Sequence, residues 1–128
     1  GRKGTGVTGN CLVGLRVLVV EDEMLVSMLV EDMLADFGCL VVGPAPDFDA
    51  AMSLASSAEI DAALLDVNVA GRPVFPVADA LKARGVPFAF ASGYGAAGVE
   101  GDHRGAPVLQ KPFRQIDLER ALTGLMTG

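Results

Sequence analysis

The sequence predicts an α/β protein built on a parallel sheet, and three observations carry that expectation. Short apolar runs, such as the β-branched Arg16 to Val20 and the Ala- and Leu-rich Asp61 to Asp66, alternate with longer stretches whose apolar residues recur at helical spacing. The connections between them are short and carry Gly, Pro, Asn and Asp. The runs near Arg16, Asp61 and Pro87 show little polar alternation, as strands covered on both faces do.

Taken in order, the five glycines among the first fifteen residues, with Arg2 and Lys3, predict a flexible tail over residues 1–14. Arg16 to Val20 is the first strand and runs into Glu21-Asp22-Glu23. Met24, Leu25, Met28, Leu29, Met33, Leu34 and Phe37 then mark the apolar stripe of a first helix, with Gly38 placed to stop it. Cys39 to Val42 is the second strand, ended by Gly43-Pro44-Ala45-Pro46, and Asp47 is positioned to cap a second helix packed through Phe48, Met52, Leu54 and Ala55. After the third strand, Asp61 to Asp66, residues Val74, Val77, Ala78 and Leu81 line a third helix with a proline in its first turn, stopped by Gly85. Pro87 to Ala91 is the fourth strand. The stretch from Ser92 to Ala106 holds five glycines, and each interior glycine costs a helix about 1 kcal/mol against alanine. A fourth helix there is expected to be short or disordered, and the lone His103 to be a solvated loop residue. Pro107 to Gln110 supplies the fifth strand and Ile116, Leu118, Ala121, Leu122 and Leu125 the last helix. Strands alternating with helices imply right-handed crossovers and helices on both faces of one sheet.

Composition removes several function classes. A chain of 128 residues is one domain, and its net charge of −6 argues against nucleic acid, which demands a basic face. No apolar run approaches the ~18 residues of a membrane span, and no basic amphipathic helix suggests a membrane surface. Cys11 and Cys39 are too few for a disulfide framework. A cytoplasmic location is the simplest expectation.

The chemistry gathers at the strand ends. Ligands of open parallel sheets bind outside the carboxyl ends of the strands, where this scheme puts Glu21-Asp22, Asp66, Ser92-Gly93 and Lys111 on one rim. Carboxylates sharing a site raise one another's pKa unless something neutralises them, and a hard divalent cation with oxygen ligands, Mg²⁺, does so. Lys111 adds a point charge suited to a phosphate oxygen, and Ser92 a hydroxyl donor. Together the parts suit phosphoryl transfer to Asp66, which attacks already ionised. Each residue also has a plainer reading: Asp66 as a turn former, Glu21 and Asp22 as a helix cap, Lys111 as a surface charge, Ser92 as a turn residue. Their coincidence on one rim favours the chemical one.

The arrangement Val-Leu-Val-Val-Glu21-Asp22, Leu-Leu-Asp66-Val-Asn68, Ser92-Gly93 and Lys111-Pro112-Phe113 resembles bacterial two-component response-regulator receiver domains, over 15–128. The resemblance implies a flavodoxin-like (CheY-like) sheet of order 2-1-3-4-5 and a cis Lys111–Pro112 bond. It also implies roles. Asp66 is the phospho-acceptor, Asp22 a direct Mg²⁺ ligand, Glu21 its acidic partner acting through water, and Asn68 the donor of a backbone carbonyl to the metal. Ser92 is the switch hydroxyl and Lys111 the phosphate-binding lysine. The segment Phe90-Ala91-Ser92-Gly93-Tyr94 is similar to the subgroup with a Phe-Ala-Thr-Gly-Tyr-like motif, Ser92 standing for Thr. Those proteins are often single-domain partners of HWE-type histidine kinases.

Two features depart from the ordinary pattern. Val108 stands where the switch aromatic belongs, and glycines occupy the usual fourth helix. Phosphorylation is therefore expected to stiffen the glycine segment through Ser92 rather than to rotate an aromatic ring. The expected function is a phospho-acceptor that takes a phosphoryl group from a kinase histidine and signals to an unknown downstream protein. Such a chain is no enzyme beyond its own phosphorylation and dephosphorylation. The alternative is a receiver-like docking module that needs no phosphate. A phosphatase with an Asp-x-Asp nucleophile pair fits poorly, because Glu21-Asp22-Glu23 stands at that place.

Overall fold

A computed structural model describes residues 12–95, 99, 103 and 105–127. Strands β1 (Arg16–Val20), β2 (Leu40–Ala45), β3 (Ala62–Asp66), β6 (Phe88–Ser92) and β7 (Val108–Gln110) form one parallel sheet of order β2-β1-β3-β6-β7. Counting those five alone, the order is the flavodoxin-like 2-1-3-4-5. Strands β4 (Asn68–Val69) and β5 (Arg72–Pro73) make a separate antiparallel hairpin directly after β3. The helices are α1 (Met24–Asp36), α2 (Phe48–Ser57), α3 (Phe75–Ala83) and α4 (Gln115–Thr127).

Alternation along β1 splits the core into two layers. Leu18 and Val20, with Leu65 and Phe90, pack on Ala51 and Ala55 of α2 and Val77, Ala78 and Leu81 of α3. Val17 and Val19, with Leu64 and Ala89, meet Val30 and Leu34 of α1 and Leu118 and Leu122 of α4. The start and stop signals act as their chemistry dictates. Asp47 accepts the Ala50 N–H at 2.8 Å to cap α2. Helix α1 ends at Gly38 (φ +83°), with Gly38 N–H bonded to Ala35 O and Cys39 N–H to Leu34 O; Gly85 ends α3 the same way. No helix among the described residues is long and apolar enough to cross a membrane.

Several expectations are corrected. On α1 the side chains of Met24, Leu25, Met28 and Leu29 are exposed, and the buried face is Ser27, Val30 and Leu34 with Val26, Met33 and Phe37 beside it. Both faces of this helix are apolar, so spacing alone does not choose between them. Strand β2 does not stop at Val42. It passes through a register shift and a cis Gly43–Pro44 bond to Ala45, which pairs with Val20. Ordered packing reaches back to Leu12, which is fully buried and whose carbonyl accepts from Leu15 N–H and the Cys39 thiol. The remainder of the expected tail, Cys11 included, lies outside the described residues. His103 is not solvated: it is buried, stacked on Phe75 at 5.5 Å, and its Nε2 lies 2.9 Å from Asp79 Oδ1. Among the described residues no α-helix lies between Ser92 and Val108, although Gly98 and Gly101 of the glycine stretch lie outside them.

Candidate functional site

Parallel strands aim all their carboxyl ends at one rim, so β1, β3, β6 and β7 deliver their last residues to a common place. Glu21 and Asp22 follow β1, Asp66 ends β3, Ser92 ends β6 and Lys111 follows β7. Register sets the depth. Asp66 sits opposite Ala91, and Val67 N–H bonds to Ala91 O at 3.1 Å, so Ser92 lies one residue beyond the acid's partner on the neighbouring strand. Lys111 N–H bonds to Ser92 O at 2.8 Å, tying the lysine to the same tip, and the following Lys111–Pro112 bond is cis.

The side chains converge. Lys111 Nζ lies 2.8 Å from Glu21 Oε1 and 3.2 Å from Asp66 Oδ2, bridging acids from two strands. Oxygen atoms of Glu21, Asp22 and Asp66 all lie within 4.8 Å of one another. Glu21 is buried; its second oxygen accepts the Glu23 N–H at 3.0 Å. Asp22 is exposed, and Ala70 N–H from the β4–β5 hairpin bonds to its Oδ2 at 3.0 Å. Asn68 opens that hairpin two residues after Asp66, and its backbone hydrogen-bonds the Asp66 carboxylate. Ser92 is buried and its hydroxyl oxygen accepts the Tyr94 N–H at 3.0 Å, while the Tyr94 ring stands exposed. The helix-cap reading of the first acids does not hold, since Glu23 occupies the N-cap of α1 without a side-chain capping bond.

Electrostatics follow from the crowding. Burial and the charge of Glu21 push the Asp66 carboxyl up to about 6, against the opposing pull of Lys111 and the Asn68 backbone. For Lys111, burial favours the neutral amine, but the hydrogen bond to Glu21 and the charges of Asp66 and Glu21 outweigh it and hold the ammonium. One lysine thus faces three acids, which leaves a surplus of negative charge in a set of oxygen donors. Such a set fits a hard divalent cation of the Mg²⁺ kind and offers nothing to a soft metal.

Glu21, Asp22, Asp66, Lys111 and the Asn68 backbone are brought into contact, and Ser92 lies at the neighbouring strand end, tied to the site through the Lys111 backbone. The grip of the hairpin on Asp22 was not foreseen. Its only signal was Ala70-Gly71 between two short segments, a weaker hairpin mark than Asn-Gly.

Comparison with solved structures finds close relatives in shape. The chain is 39% identical to SdrG from Sphingomonas melonis Fr1, with a TM-score of 0.78, over 90% of this chain and 98% of that one. It is 41% identical to the BeF3-activated conformation of SdrG from Pseudomonas melonis Fr1, with a TM-score of 0.74, over 87% and 95% of the two chains. The receiver domain of sensor histidine kinase PA1611 from Pseudomonas aeruginosa PAO1, which carries a magnesium ion in its active-site cleft, is 26% identical, with a TM-score of 0.75, over 91% and 100%. No protein-family model and no curated protein matches the sequence.

Proposed function

Because the chain belongs to the response-regulator receiver domains, we propose that it is the phospho-acceptor of a two-component phosphorelay. The observation that carries this reading is Lys111 Nζ held between Glu21 and Asp66, 2.8 and 3.2 Å away, beside an acid cluster drawn from two strands. An Asp66 oxygen attacks the phosphorus of a phosphohistidine; the O–P bond forms as the P–N bond breaks, and the electron pair returns to the imidazole nitrogen. Lys111 neutralises the transferring oxygens, and Asn68 and Asp66 lie close enough in sequence to act on the same group. Mg²⁺, held by Asp22, Asp66 and the Asn68 carbonyl, with Glu21 through water, would supply further charge neutralisation. The Ser92 hydroxyl oxygen accepts the Tyr94 N–H and donates its own hydrogen to the phosphoryl oxygen, which links the phosphoryl group to Tyr94 and stiffens that turn.

The partners are a histidine kinase, of the HWE type on the strength of the Phe90 to Tyr94 motif, and a downstream protein in the cytoplasm. Met24, Leu25, Met28 and Leu29 project from α1 immediately after Asp22 and supply apolar surface beside the site. The test is intact mass after incubation with a small phosphodonor. One added phosphoryl group that needs Mg²⁺ and is lost in Asp66→Asn supports the reading. No added mass in any condition would leave the phosphate-independent docking module instead.

A further inference from the structure

The hairpin that follows Asp66 meets the rim through its backbone at two places, Asn68 on the Asp66 carboxylate and the Ala70 amide on Asp22. Val74 N–H bonds to Val67 O at 2.8 Å at its base, and Val69, directly before the turn, is fully buried. Its tip is a two-residue reverse turn with positive φ at both Ala70 (+50°) and Gly71 (+84°). On the other side of the turn, Arg72 is also anchored. The guanidinium lies over the Phe48 ring of α2, 3.8 Å from its centroid, and 3.7 Å from Asp49. The hairpin is thereby fastened to α2 on one side while Ala70 N–H holds Asp22 Oδ2 on the other.

Asp22 needs such help more than its neighbours do. Glu21 is buried and bonded to Lys111, and Asp66 is walled in by the sheet, whereas Asp22 is exposed on a loop. A carboxylate with one oxygen held by an amide presents the other in a fixed direction, and bonds of that kind orient metal ligands. We propose that Arg72 is a positioning residue for cation binding, acting through the Ala70 amide on Asp22. The inference rests on the Mg²⁺-dependent reading above and adds to it a residue outside the carboxylate cluster.

Magnesium chloride titrations followed by backbone amide shifts test it. Arg72→Met keeps the stem and loses the charge; Phe48→Leu keeps an apolar contact and loses the ring face. Each is expected to weaken Mg²⁺ binding roughly 2- to 5-fold, the worth of one exposed cation–π staple, with the sheet amides unmoved. Arg72→Lys should recover part of the loss. In an Asp22→Asn background, Arg72→Met should have no further effect, because the route to the ion is already cut. Equal Mg²⁺ affinity in wild type, Arg72→Met and Phe48→Leu overturns the inference, as does a full additive loss in the Asp22→Asn background. Absence of Mg²⁺ binding in the wild type would instead overturn the reading on which it rests.

Discussion

Replacing Asp66 by Asn should make the protein more stable in the absence of divalent cations. The wild-type carboxyl is displaced from 3.8 to about 6 by burial and by Glu21, so the folded state keeps a proton that the unfolded chain releases between those values. Stability contributed by this group is therefore present below about pH 4 and falls as pH rises through about 6, then stays level. The full displacement corresponds to roughly 3 kcal/mol at neutral pH. Asn removes the charge but also takes one partner from Lys111, so a gain of about 1–2 kcal/mol is expected, or roughly 4–8 °C in Tm. Urea unfolding of both proteins in EDTA at pH 7.5 and at pH 4.5 measures it. The gap should be wide at the higher pH, narrow at the lower, and reduced at pH 7.5 by millimolar Mg²⁺, which binds only the folded wild type well. An Asn variant less stable than wild type in EDTA, or a gap indifferent to pH, would refute the electrostatic account of the rim.

Other perturbations have distinct signatures. Lys111→Met should cut phosphorylation by a small phosphodonor roughly 10²-fold, as loss of one positioned charge at a transferring group does, while Mg²⁺ binding persists; an unchanged rate counts against the role of the lysine. Asp61 takes both the side chain and the backbone N–H of Arg16 at 2.8–3.1 Å, and these bonds hold its carboxyl below the usual range. Asp61→Asn should cost about 1 kcal/mol at neutral pH. That loss should fade only as pH falls below 3.8 and through the lowered folded value, which acid titration of unfolding in both proteins checks. Arg84 donates to Ala55 O at 2.6 Å and Ala58 O at 2.7 Å, closing the end of α2. Arg84→Ala should lower stability by about 1 kcal/mol in denaturant unfolding, with phosphorylation unaffected. Ser92→Ala should abolish the change that beryllofluoride produces in the Tyr94 amide shift, and retention of that change would remove Ser92 from the switch.

The rim was legible because its residues sit where buried strands end, and strand ends are the best-marked features of this chain. Asp66 closes an apolar run and Lys111 precedes a proline, so neither position depended on helix boundaries. What escaped involved choices between equivalent local patterns. Helix α1 carries apolar side chains on both faces, and burial of Ser27 with exposure of Leu25 and Leu29 is decided by the sheet beneath it. A Gly-Pro pair reads as a strand end, yet β2 continues through Gly43–Pro44 because Ala45 pairs with Val20 across a register shift. His103 looked solvated among glycines; its burial comes from Phe75 and Phe90, which are distant in sequence. The Ala70 grip on Asp22 spans 48 residues and depends on a turn too short to show periodicity.

Phosphoryl transfer to one particular oxygen nucleophile on this rim, the Asp66 carboxylate, is the proposal most directly open to test. Borohydride reduces an acyl phosphate, so treating the phosphorylated protein and mapping its peptides by mass reports which carboxylate carried it. Homoserine is expected at position 66, with Glu21 and Asp22 unmodified. Label on either of those two acids, or on a hydroxyl that borohydride leaves intact, would contradict it.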